Sequence, residues 1–172
     1  MDLITALSVS IGALAAVATY LFLGILPPGW QLWAAFIGWA SFYGAGGKDK
    51  GLQASITANI WGAVLALIAL LIITKSGWAD AKSLGLPLTA AIIVGLSVVV
   101  LVYGAKAPAL AAIPSSVYGY ASVAALALIT GKFDTLTQPD LTNPFVAVLL
   151  SLIVGNLFGY VSEMLAGKLV SS

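Results

Sequence analysis

The side chains in this sequence that could do chemistry are few, and they are mostly hydroxyls and carboxamides. Ser41 and Ser122 each close a Gly-aromatic-Ala-Ser run, Gly38-Trp39-Ala40-Ser41 and Gly119-Tyr120-Ala121-Ser122. Asn59 and Asn156 each sit in a small-Asn-aliphatic-aromatic-Gly run, Ala58–Gly62 and Gly155–Gly159. Ser55 precedes Asn59 by one helical turn, and Ser115 and Ser116 precede Gly119. An amide offers both donor and acceptor, as does a hydroxyl, so this set can hydrogen-bond a small polar molecule. Harder chemistry is missing. There is no histidine or cysteine, and all seven basic residues are lysines. That removes the usual metal ligand, the usual acid–base catalyst, any thiolate and the bidentate anion clamp of arginine. No nucleophile–base pair, metal site or cofactor site is expected, so the chain does not read as an enzyme. Glu163 is the one acid within a plausible apolar segment; it lies near that segment's end and is expected at an interface, pairing with Lys168. With no ionisable group in mid-segment, proton coupling and strongly charged substrates are disfavoured.

The elements that must hold these residues are apolar helices. Of 172 residues 61% are hydrophobic and 8% charged, far from the quarter or so charged in soluble domains. A formal net charge of +1 gives no basic footprint for nucleic acid. The pattern predicts an all-α membrane protein with six spans: 3–26, 30–47, 51–74, 87–104, 109–131 and 144–169. Pro27-Pro28 end the first span, and Asn143-Pro144 read as an N-cap and first turn of the last. Trp78 and Phe133, in the two longer connections, suit an interfacial belt. The run from Leu3 is too long for a signal peptide and is taken as a retained span. Lysine placement weakly favours both termini in the cytoplasm.

The two motifs recur in the same order, the first at a spacing of 81 residues and the second at 97. This divides the single membrane domain into halves, residues 1–75 and 85–169. Three spans per half is an odd number, so the second copy starts from the opposite side, which makes an inverted repeat of the kind common in transporters. The repeat pairs Gly38 with Gly119 and Asn59 with Asn156.

Ala34, Gly38, Ser41 and Ala45 share one helical face, and Ser115, Gly119 and Ser122 share the matching one. Small residues on such faces let helices approach closely, or they leave room for a narrow pathway. The residues assigned to a solute pathway are Gly38, Trp39, Ser41, Tyr43, Ser55, Asn59, Ser115, Ser116, Gly119, Tyr120, Ser122 and Asn156. Asn59 is expected to line it and Asn156 to hold helices together. Pro114, read as lying inside a span, is expected to break it and free a backbone carbonyl.

At Gly51-Leu52, at Pro114 before a glycine-rich span, and at Gly155 with Phe158-Gly159-Tyr160, the chain resembles the YcdZ-like family of small bacterial inner-membrane proteins. That resemblance implies an inner-membrane location and carries no established activity. The leading expectation is a channel or facilitator for a small, mostly neutral polar solute of the urea, ammonia or short-amide class. The alternative is a non-transporting scaffold or partner-binding subunit. The expected partners are the lipid bilayer, the solute and further copies of the chain in a homo-oligomer.

Overall fold

In the computed structural model, which describes residues 1–171, the helices start and stop where local chemistry dictates. Helix α1 (Leu3–Tyr20) opens on Asp2, whose carboxylate accepts the Thr5 amide at 3.0 Å. It continues as one π-helical turn, Leu21–Ile25, closed by a bond from Leu26 N–H to Leu21 O at 2.8 Å. Helix α2 (Leu32–Gly44) ends in Gly46 and Gly47, both at positive φ, which turn the chain directly into α3 (Lys48–Lys75). Helix α4 (Leu86–Gly104) carries Pro87 in its first turn. Helix α5 (Ile113–Thr130) stops at Gly131 in the left-handed region, φ 66. Helix α6 (Pro144–Ser171) is capped as expected: Asn143 Oδ1 accepts the Phe145 amide at 2.9 Å. Asn143 Nδ2 donates back to Leu136 O and Gln138 O, which ties the preceding connection to the helix.

Five segments are long and apolar enough to cross a membrane: Leu3–Ile25, Lys48–Lys75, Leu86–Gly104, Ile113–Thr130 and Pro144–Val170. The chain thus has the character of a multi-pass membrane protein. The exception is α2. Its 13 residues make about 20 Å of helix, short of a hydrocarbon core about 30 Å thick.

Pro114 does not break a helix. The segment before it is a single 3-10 turn, Pro108–Leu110, and α5 begins only at Ile113. Pro114 therefore occupies the first turn, where its missing N–H would have had no intrahelical partner in any case.

Helices α3 and α6 are central, with α5 packed along α3 and α2 along α6. Both of these pairs run in the same direction. The α2–α6 contacts advance from Gln31–Ser151 through Gly38–Leu152 and Trp39–Ser162 to Lys48–Glu163. Helix α1 lies outside on α6 and α4 outside on α3. These outer helices turn Ile4, Leu23, Leu96 and Val99 outward, the side chains expected to meet lipid. The apolar core joins Ala34, Ala63, Ala66, Leu70, Val123, Ala127, Val148 and Leu152 with Leu136 from the α5–α6 connection. Phe133 packs against that core, whereas Trp78 is exposed.

Candidate functional site

The small-residue faces of α2 and α5 lie inside the bundle, and their glycines bring backbones into direct contact. A Cβ on Gly38 would overlap the Leu152 carbonyl oxygen and lie 2.8 Å from its carbon. A Cβ on Gly119 would meet the Asn59 carbonyl in the same way, with the carbon at 2.9 Å. Gly155 faces the Ala35 carbonyl and Gly62 the Ser116 carbonyl, again with no room for a side chain. Helix pairs held this closely place their polar side chains within bonding distance of one another.

Four helices then contribute to one hydroxyl–amide cluster. Asn156 Nδ2 on α6 donates to Asn59 Oδ1 on α3 at 2.9 Å and to Leu152 O at 2.8 Å. Asn59 Nδ2 donates to Ser115 O on α5 at 2.8 Å and to Ser41 Oγ on α2 at 3.2 Å. The Ser41 hydroxyl sits 2.7 Å from Ser55 Oγ and 2.9 Å from Ser115 Oγ. Ser55 Oγ donates to Asn156 Oδ1, which closes the loop of bonds. Ser41, Ser55, Asn59 and Asn156 are 0% exposed and Ser115 2%. Asn59 stands about 16 Å along the roughly 40 Å of α3, so the cluster is near the middle of that helix.

The remaining pathway residues fall elsewhere. Trp39 Nε1 donates to Ser162 Oγ at 3.1 Å, and the Tyr43 hydroxyl shares that oxygen at 2.8 Å. The Trp39 ring stacks with Phe36 and with Phe158. These groups lie toward the Lys48 end of the bundle. Tyr120 packs against the apolar core and bonds Ser97 of α4 at 2.8 Å. Ser122 is buried without joining the cluster, and Ser116 is buried with its hydroxyl unpartnered. Of the twelve residues assigned from sequence, the structure joins five in the cluster and uses Gly38 and Gly119 to bring its helices together.

Two serines that bond across helices were missed. Ser151 Oγ accepts the Gln31 amide at 2.9 Å, which satisfies a donor in the irregular lead-in to α2. Ser162 holds Trp39 and Tyr43. Both belong to the buried face of α6 that passes through Gly155 and Gly159, a signal available in the spacing. Glu163, next to that face, makes no ion pair with Lys168 among the described residues. Its carboxylate accepts the Lys48 amide at 2.6 Å, holding the first residue of α3 at φ 56.

No curated protein and no solved structure matches the chain. A family model described as a protein of unknown function (DUF1097) matches residues 8–167, and the chain belongs to that family.

Proposed function

We propose that this DUF1097 chain is a multi-pass protein of the bacterial inner membrane, akin to the YcdZ-like proteins, that passes a small, mostly neutral polar solute of the urea, ammonia or short-amide class. In this reading its six helices form two inverted halves, α1–α3 and α4–α6, with α2 as a short sixth crossing. Both termini are cytoplasmic, and copies associate as a homo-oligomer.

The exchange of contacts supports the two halves. Adding 81 to the α2 residues and subtracting 93 from the α6 residues turns the Gly38–Leu152 contact into Gly119–Asn59. The same shift turns Ala35–Gly155 into Ser116–Gly62. A two-fold axis in the membrane plane acts in this way on an inverted repeat. On this register Asn59 answers to Leu152. The motif pairing of Asn59 with Asn156 is then off by one helical turn, and the two asparagines instead bond each other across the axis.

The transport reading is carried by the hydroxyl–amide cluster. There both halves bring uncharged donors and acceptors together near mid-depth, where inverted-repeat transporters hold their solutes. A fixed open pore through these residues does not fit their complete burial. Passage instead requires the halves to rock apart, with a solute amide replacing the internal bonds and paying for the opening by its differential affinity. A second reading, the non-transporting scaffold, is favoured by the same cluster's completeness: its amides and hydroxyls are bonded and flanked by glycine contacts, as a structural lock is.

Flux of urea, ammonia and formamide into proteoliposomes, measured against empty liposomes, separates the two. Flux above the empty control that falls in Asn59→Leu, with the protein still folded, supports transport. Flux equal to the control for all three solutes refutes it and leaves the scaffold.

A further inference from the structure

The α1–α2 corner and the α5–α6 connection line an open cavity of about 570 Å³, a volume typical of small-ligand sites. Its inner wall is Val146 and Leu150, in the first turns of α6. Leu150 is 38% exposed, and Leu157 and Val161 continue the same outward face, so this wall opens toward the surroundings and not toward the bundle core. Its rim carries Lys132, just beyond the end of α5, and Asp140 with Thr142, just before α6. A charged rim at the level of the helix ends, above an apolar wall one or two turns deeper, has the profile of the membrane–water boundary.

The cavity is built rather than open loop. Gly29, at φ 114, abuts Leu141, with its Cβ position 2.7 Å from the Leu141 Cβ. The Thr135 hydroxyl donates to Thr142 O at 2.9 Å, and Asn143 ties back Leu136 and Gln138. Both charges on the rim are available. The Lys132 ammonium has no hydrogen-bond or ion-pair partner among the described residues. Asp140 Oδ1 accepts the Thr142 amide and hydroxyl, which leaves Oδ2 unengaged. The Thr142 hydroxyl, then its amide, hold the Asp140 carboxyl below the usual carboxylate range, so it is ionised at neutral pH.

We propose that this cavity binds a zwitterionic aminophospholipid, its phosphate on Lys132, its primary ammonium on Asp140 and its acyl chains against Val146 and Leu150. Each end of such a headgroup meets the opposite charge, and the chains extend an apolar wall that faces the bilayer. A headgroup with a phosphate and no amine sets its negative charge near Asp140 with nothing in return. The assignment stands independently of solute transport.

The test is reconstitution into nanodiscs of equal parts phosphatidylethanolamine and phosphatidylglycerol, followed by release into a native mass spectrometer and a count of retained lipids. The wild type retains phosphatidylethanolamine over phosphatidylglycerol by roughly two- to fivefold, the span of an exposed charge pair. Asp140→Asn keeps an acceptor for Thr142, retains lipid and loses the preference. Lys132→Met lowers retention of both lipids. Equal retention by the wild type, an unchanged preference in Asp140→Asn, or loss of the preference in Lys106→Met at the other end of the bundle overturns the proposal.

Discussion

Asn59 and Asn156 share a bond, so they should not behave as two independent sites, and a double-mutant cycle reads that directly. Asn59→Ala removes the donation to Ser115 O at 2.8 Å, the weaker contact to Ser41 at 3.2 Å, and the acceptor for Asn156 at 2.9 Å. Interhelical hydrogen bonds in membranes are worth about 0.6–2 kcal/mol each. Two good ones, plus the small void left at a fully buried position, put the single variant at about 2–3 kcal/mol of lost stability. Asn156→Ala loses the same shared bond and the acceptor of Ser55, and falls in the same range. The shared bond is lost only once in the double variant. Its cost should therefore fall short of the sum by about 1 kcal/mol. Five tryptophans give a fluorescence signal for thermal unfolding in mild detergent. For a chain of this length about 1 kcal/mol corresponds to roughly 2–4 °C, so each single variant melts about 4–12 °C lower. Additivity within about 0.5 kcal/mol would falsify the cluster as one unit and restore separate roles for the two amides.

Other substitutions probe the contacts around the cluster. Gly38→Ala and Gly119→Ala place a methyl against backbone that cannot step aside, and each should cost about 1–3 kcal/mol; Gly95→Ala on α4 meets nothing within 4 Å and should be neutral or slightly stabilising, so equal melting temperatures for all three would contradict the close-contact reading. Ser162→Ala strips Trp39 and Tyr43 of one shared partner and should lower stability by about 1–3 kcal/mol; an unchanged melting temperature would show that those rings are held by stacking alone. Lys48→Gly keeps the amide bonded to Glu163 but removes the Cβ penalty at φ 56, so it should raise stability by up to about 1 kcal/mol; a lower melting temperature would mean that the lysine side chain itself does work at that turn.

Helical chemistry was readable from local sequence wherever the cause is local. Asn143-Pro144 announced the start of α6, and Gly38, Ser41, Ser115 and Gly119 declared inward faces by their spacing. Pro114 was ambiguous because proline stops one helix and starts the next with the same ring, and only the short turn at Pro108–Leu110 decides between them. Partners were far less legible than faces. Trp39 meets Ser162, Gln31 meets Ser151 and Lys48 meets Glu163 across more than a hundred residues, and helical periodicity states which side of a helix is buried without naming what buries it. On the proposed reading of two inverted halves, the one-turn displacement between motif register and contact register has the same origin. Short motifs in an alanine- and glycine-rich helix match almost as well one turn along, and only the backbone contacts of Gly62 and Gly155 break the tie.

The pairing of α2 with α6 and of α5 with α3 also sets a timetable for biogenesis. Helix α2 is too short to settle across a bilayer by length alone, and the helix it lies along, α6, begins about 100 residues after α2 is made. At about 5–20 residues per second, α2 waits on the order of 5–20 s for α6 to emerge. During that wait Gly38 lacks its backbone neighbour at Leu152 and Trp39 its hydroxyl partner Ser162, both on α6. The nascent protein therefore cannot mature span by span in the order of synthesis. It is threaded first and zipped afterwards, and a ribosome that stalls before Pro144 leaves behind a product whose second helix has α3 and α5 beside it but lacks the helix it packs along most closely.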